Sequence, residues 1–301
     1  MKKFFLSTLI LFMSVPFICF SKESFKKIEI DGNCTGAYQV KIADINNDGK
    51  PDVAALGEGR DGGIFWYENP SWKKRPISNE ATQRHIDMDF YDLDGDGELE
   101  LAVASSFNLG DSTSGGEIHW YKRGKNLDSP WQAHFIHAEP TAHRLRWADV
   151  DGKGKKELIV LPILGVKAKG PAYDQAAVRV LCFSVPDNPQ SPWESHVIDR
   201  SLHLAHGLTI EKDKTDSILV ASLEGITKFV YKNGEYSKIH LCAGNPHEPG
   251  RPGCSESAVG QWRDGKQFIT AIEPWHGNQV VVYPYAKSMQ QKRTVIDTSF
   301  H

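Results

Sequence analysis

Five stretches of this chain can be laid over one another: GGIFWYEN at 62–69, GEIHWYKR at 116–123, AVRVLCFS at 177–184, GITKFVYK at 225–232 and NQVVVYPY at 278–285. Each follows a short apolar run (DVAAL, ELAVA, ELIVLPI, SILVAS, QFITAIE) and precedes another short segment (WKKRPIS, WQAHFIH, WESHVID, YSKIHLC, KRTVIDT). In front of the apolar runs lie segments such as HIDMDF, HRLRWAD, AHGLTIEKD and SAVGQWRD. Brief runs of β-branched and aromatic residues, bounded by Gly, Pro, Asn and Asp, read as strands. Four strands recurring at intervals of roughly 50–60 residues are the pattern of a β-propeller blade. One such sheet cannot bury both its faces, so neighbours must stack around an axis. No long window has helical periodicity and no linker divides the chain. The expected fold is all-β, a propeller of four-stranded blades with about five blades present, in one domain over residues 22–301.

The turn between the first two strands of a unit is the second recurring feature. DINNDGKPD carries Asp44, Asn46, Asp48 and Asp52 at positions one, three, five and nine. DLDGDGELE repeats the spacing with Asp92, Asp94, Asp96 and Glu100. DVDGKGKKE repeats it with Asp149, Asp151 and Glu157, but Lys153 stands at position five. Alternating oxygens on a glycine turn converge on a hard cation such as calcium. An EF-hand also needs a glutamate at position twelve and flanking helices; position twelve of the second loop is Val103, and its flanks are strands. The loops are therefore expected to staple a turn with calcium in the first two units, and not to act as sensors. The fourth and fifth units have no such loop.

The 301 residues carry a formal net charge of −3, with 40% hydrophobic and 24% charged residues. This is a globular balance with no basic excess for a nucleic-acid backbone. The first residues, MKKFFLSTLILFMSVPFICFSK, combine two lysines with an apolar run too short to favour a membrane span. They read as a signal peptide over residues 1–21, predicting a secreted or periplasmic protein; lipid anchoring on Cys19 is the rival reading. No later segment is apolar enough to span a membrane. Export permits disulfides. Cys242 and Cys254, flanking a loop rich in Gly and Pro, are the pair to expect, with two buried thiols as the alternative.

The loop pattern within such a unit resembles the FG-GAP or VCBS repeat of calcium-loop propellers. The run HRLRWADVDGKGKKELIVLPILG, with LHLAHGL and IEPWHGNQVVVY, resembles the propeller domain of aldos-2-ulose dehydratase. The first resemblance implies seven blades, hence a C-terminally shortened ring that a partner chain or domain would complete. A closed five-bladed ring with a spare strand is the alternative, because FKKIEI at 25–30 and KRTVID at 292–297 both look like a fourth strand. The second resemblance implies metal-dependent loss of water from a keto sugar.

Propellers place function where the inner strands begin. His85, His143 and His206 stand there in successive units. Three imidazoles could hold zinc or another divalent metal, act as acid and base, or simply bond neighbouring strands. Arg144, Arg146 and Glu256 lie beside them, and AIEPWHGNQ adds Glu273, Trp275 and His276. The expected catalytic set is His85, His143, Arg146, His206, Glu256 and His276, with Arg146 facing an oxyanion. Arg144, Glu273 and Trp275 are expected to bind a saccharide or keto sugar, the indole face suiting a sugar ring, with blade packing as the alternative for Trp275. His134, His196 and His240 recur in the outermost strands and read as structural.

Overall fold

The computed structural model describes residues 26–34, 36–57, 62–79, 83–245, 252–285 and 292–299. The leader-like segment 1–21 lies outside them. Residues Met1–Gly32 form a separate unit, whose described part contains no strand. The FKKIEI segment is therefore not a spare strand.

From Asn33 onward the chain folds into five four-stranded antiparallel sheets, each running outward in chain order, and no α-helix occurs among the described residues. Blade one comprises β1 (Ala37–Ala43), β2 (Asp52–Gly57), β3 (Ile64–Glu68) and β4 (Lys73–Ser78). Blade two comprises β5 (Asp87–Tyr91), β6 (Glu100–Ser105), β7 (Glu117–Lys122) and β8 (Gln132–Ala138). Blade three comprises β9 (Ala142–Ala148), β10 (Glu157–Pro162), β11 (Val180–Ser184) and β12 (Glu194–Asp199). Blade four comprises β13 (Gly207–Glu211), β14 (Ser217–Ser222), β15 (Gly225–Lys232) and β16 (Glu235–Cys242). Blade five comprises β17 (Glu256–Gln261), β18 (Gln267–Glu273), β19 (Gln279–Pro284) and β20 (Thr294–Asp297). KRTVID supplies the outermost strand of blade five, so every blade has one such strand and none is left over.

The second strand of a blade shows why its sequence is apolar throughout. Strand side chains alternate between faces. In β10, Leu158 and Val160 enter the core shared with blade two, while Ile159 and Leu161 enter the core shared with blade four. In β6, Leu101 and Val103 face blade one, and Ala102 and Ala104 face blade three. In β14, Ile218 and Val220 pack on blade three, and Leu219 and Ala221 on blade five. Each fully buried aliphatic side chain contributes about 1.5–3 kcal/mol by leaving water. Four such cores join blades one to two, two to three, three to four and four to five. Among the described residues, no buried cluster joins blade five to blade one. On β1, Val40 and Ile42 are 60% and 72% exposed.

Cys34, Cys182, Cys242 and Cys254 are free thiols. Cys242 and Cys254 are buried, and the Cys254 Sγ donates to Glu273 at 3.4 Å. The expected disulfide is thus replaced by its alternative. No described helix is long and apolar enough to cross a membrane.

Candidate functional site at the propeller axis

The inner strands of blades one, three, four and five bring polar side chains to one point. His206, just before β13, donates from Nδ1 to the Ser255 carbonyl at 3.1 Å and lies 3.0 Å from Glu256 Oε1. With Nδ1 as donor, Nε2 is left as the basic nitrogen. Arg144 on β9 reaches Glu256 Oε1 from Nη2 at 3.3 Å and His143 Nε2 from Nη1 at 3.1 Å. The Tyr38 hydroxyl of β1 lies 3.3 Å from the same His143 nitrogen. The guanidinium also lies over the Tyr38 ring at 5.7 Å.

Aromatic contacts complete the cluster. The His206 ring lies 4.6 Å from His143 and 4.5 Å from His276, centroid to centroid. His276 stacks on Trp275 at 4.0 Å with rings 6° from parallel. Phe107, from the loop after β6, covers the outer side of His143 at 5.4 Å. His276 is exposed at the mouth and holds a left-handed φ of 52°, a conformation that costs energy for a residue with a Cβ. Gly277 follows because a Cβ there would meet the Pro274 ring at 2.3 Å.

The local charges differ in kind. Burial, then the Arg144 charge, hold His143 well below the ordinary imidazole range, so it is neutral and accepts at Nε2. Burial opposes ionisation of Glu256, but the His206 hydrogen bond and the Arg144 charge outweigh it and keep this carboxyl below its ordinary value. The Glu256 side chain is still 40% exposed, so the cluster opens to solvent there.

The other sequence candidates occupy different positions. Arg146 donates to Asp87 Oδ2 at 2.5 Å, and Asp87 also accepts from Gln39 Nε2 at 2.7 Å and from the Leu145 amide at 3.0 Å. Arg146 is thus committed to a polar knot between blades one, two and three. Glu273 is fully buried, bonded by Tyr283 Oη at 2.5 Å and by Arg293 Nε at 2.7 Å, and does not reach the cluster surface. Trp275 is 7% exposed and packs into the core between blades two and three, so its indole supports His276 and offers no open sugar platform. His85 is completely buried.

Register explains His85. His143 stands six residues before Asp149 of its loop; Ile86 is six before Asp92, and Tyr38 is six before Asp44. The pairing agrees, with Val40 opposite Ala55, Met88 opposite Val103 and Leu145 opposite Val160. His85 is one residue out of step, and a one-residue slip reverses the face a side chain takes. The blade-one counterpart of His143 is Tyr38, which the same count from the loop identifies. A zinc centre on these histidines fits poorly, because the Arg144 guanidinium already stands against His143 Nε2 and like charges repel. The outer histidines serve packing: His134 stacks on Trp120 at 4.1 Å, and His196 lies 5.7 Å from Tyr236.

The three acidic loops share one construction. The first aspartate accepts the amide five residues on: Gly49 to Asp44 at 2.9 Å, Gly97 to Asp92 at 3.0 Å and Gly154 to Asp149 at 2.9 Å. The ninth-position acid accepts the amide after that aspartate: Ile45 to Asp52, Leu93 to Glu100 and Val150 to Glu157. They differ in what remains for a cation. In blades two and three, oxygens of Asp92, Asp94 and Glu100, and of Asp149, Asp151 and Glu157, lie within 4.8 Å of one another. Asp149 Oδ1 is buried and accepts no hydrogen bond, which fits a cation in blade three despite Lys153. In blade two the Lys122 ammonium stands among Asp94 at 2.5 Å, Asp96 at 3.1 Å and Glu100 at 3.2 Å. In blade one, Asp52 spends its second oxygen on the Asn69 amide and Asp48 turns to Lys50, so that loop forms no such group among the described residues.

Residues 115–286 match the family described as the aldos-2-ulose dehydratase β-propeller domain, and residues 44–103 match the FG-GAP-like repeat. The first match spans His143, Arg144, His206, Glu256 and His276. No curated protein matches the chain. Among solved structures, a triple arginine-to-alanine mutant of AofleA from Arthrobotrys oligospora shares the fold, with a TM-score of 0.50 at 10% identity over 87% of this chain and 74% of that one.

Proposed function

Because the chain belongs to the aldos-2-ulose dehydratase β-propeller family, we propose that it eliminates water beside the carbonyl of a keto sugar or related saccharide. The observation that carries this reading is the His206–Glu256–Arg144 arrangement at the axis, with His206 Nδ1 3.0 Å from Glu256 Oε1 and Arg144 Nη2 3.3 Å from the same oxygen. A base oriented by a carboxylate through its other nitrogen is a working general base.

In this mechanism His206 Nε2 takes the acidic proton α to the ketone. Arg144 steadies the enolate oxygen as charge develops there. The electron pair then forms the carbon–carbon double bond and expels the β-hydroxyl, protonated by Tyr38 or by His276 at the mouth; water and an enone leave. Neutral His143 holds Arg144 and Tyr38 in position. Calcium is the structural cation we assign to the acidic loops of blades two and three, where it would neutralise converging carboxylates and take no part in the reaction. The reading includes export from the cytoplasm, supported by the leader-like residues 1–21.

The test is ultraviolet absorbance of the enone. The mature chain is offered 1,5-anhydrofructose and 3-keto glycosides beside its His206→Ala and Glu256→Gln variants. We expect turnover in the wild type, a loss of about 100-fold or more without the base, and a smaller loss in Glu256→Gln. A flat trace from wild-type protein with an intact strand-type circular dichroism spectrum would overturn the proposal.

A further inference from the structure

A cleft of about 690 Å³ lies between the loop after β6 and the loop after β10, lined by Asp111, Thr113, Lys167, Lys169 and Tyr173 among others. Two contacts link its loops to the strand that carries His143. Phe107 of the first loop touches the His143 ring. Leu164 of the second loop lines the cleft and receives the Thr141 hydroxyl at 3.0 Å, two residues from His143. Ser112 ties the loops together by donating to the Ala168 carbonyl at 3.0 Å.

The chemistry of the walls is uneven. Lys167 and Lys169 are exposed, and neither ammonium is ion-paired among the described residues. Among the described residues, the only acid lining the cleft, Asp111, is turned into its own loop by the Thr113 amide at 2.9 Å and by the hydroxyls of Thr113 and Ser114, both at 2.6 Å. Tyr173 presents a half-buried ring with a phenol edge. Ser106, Lys167 and Tyr173 hold left-handed φ values of 55°, 70° and 57°. Of these, Lys167 and Tyr173 line the cleft, and such conformations persist only where the surrounding contacts hold them.

We propose that this cleft is a subsite for an acidic sugar residue, a uronate whose carboxylate meets Lys167 and Lys169 while its ring lies on Tyr173. The inference rests on reading the neighbouring axial cluster as a saccharide site, and it extends the ligand to an acidic oligosaccharide whose next residue sits at the axis. A neutral sugar would leave both ammonium groups without a counter-charge.

Calorimetric titration with tetragalacturonate and with cellotetraose tests it. The wild type is expected to bind tetragalacturonate at least tenfold more tightly than cellotetraose. The Lys167→Ala/Lys169→Ala variant is expected to lose that preference and Tyr173→Ala to weaken both probes. Equal binding of the two probes, no binding of either, or a double variant that keeps the preference would each overturn the subsite. Selective binding with a flat enone trace would sink the dehydratase reading and leave the subsite standing; enone formation without selectivity would do the reverse.

Discussion

His143 and Lys122 show how single residues set the behaviour of their surroundings. The folded chain keeps His143 neutral below the ordinary imidazole range, first through burial and then through Arg144. The unfolded chain protonates the same ring once pH falls below about 6.5. It therefore binds the extra proton, and stability falls with falling pH through this window by up to about 1.4 kcal/mol per pH unit from this group. Urea unfolding at pH 7, 6 and 5 should show His143→Gln losing less stability on acidification than the wild type; parallel losses would exclude the assignment. Lys122 makes a different prediction. Its ammonium among Asp94, Asp96 and Glu100 meets the charge need that a calcium ion would meet. Removing it in Lys122→Met should raise calcium affinity about tenfold by calorimetry, because the ion no longer has to displace a bound cation. Unchanged affinity would show that the two cations do not compete. The sequence revealed the acids of this loop by their spacing but hid Lys122, which comes from a strand more than twenty residues further on. It likewise pointed to His143, His206 and Glu256, while Tyr38 was legible only by counting back from the loop. For Trp275 the sequence left a sugar platform and blade packing both open, because nothing in its neighbours tells which core an indole will enter; the structure shows packing.

At the level of the strand, the two-sided second strands control stability. Leu158 of β10 is fully buried in the core shared with blade two, yet its neighbours Ile159 and Leu161 belong to the next core. Leu158→Ala should cost about 2–5 kcal/mol in chemical unfolding through lost burial and the cavity left behind. The same change at exposed Leu109 should cost under about 0.5 kcal/mol. Similar losses at the two positions would contradict the core assignment. These strands were plain in the sequence because short β-branched runs between glycine turns have few other ways to fold. The β6–β7 and β10–β11 loops were not legible, since their shape depends on contacts between blades, such as Ser112 with Ala168, that no local pattern encodes.

Across the whole molecule, five blades share four apolar interfaces. The face of β1 that carries Tyr38, Val40 and Ile42 is exposed and has no matching core among the described residues. Such a surface drives association. Sedimentation velocity of residues 22–301 should therefore show concentration-dependent self-association that Val40→Lys/Ile42→Lys abolishes; a monomer at every concentration would show that this face needs no cover. The blade count could be read directly from the repeat, because each unit carries its own strand signals. The relation of the first blade to the last could not, since it depends on geometry accumulated over the whole ring. Trp275 crosses from blade five into the core of blades two and three, and Glu256 comes from the same last blade. This makes blades two and three depend on the last blade. The core of blades two and three has its full set of side chains only once blade five supplies the indole. The axial cluster is likewise complete only once blade five has brought Glu256 against His206.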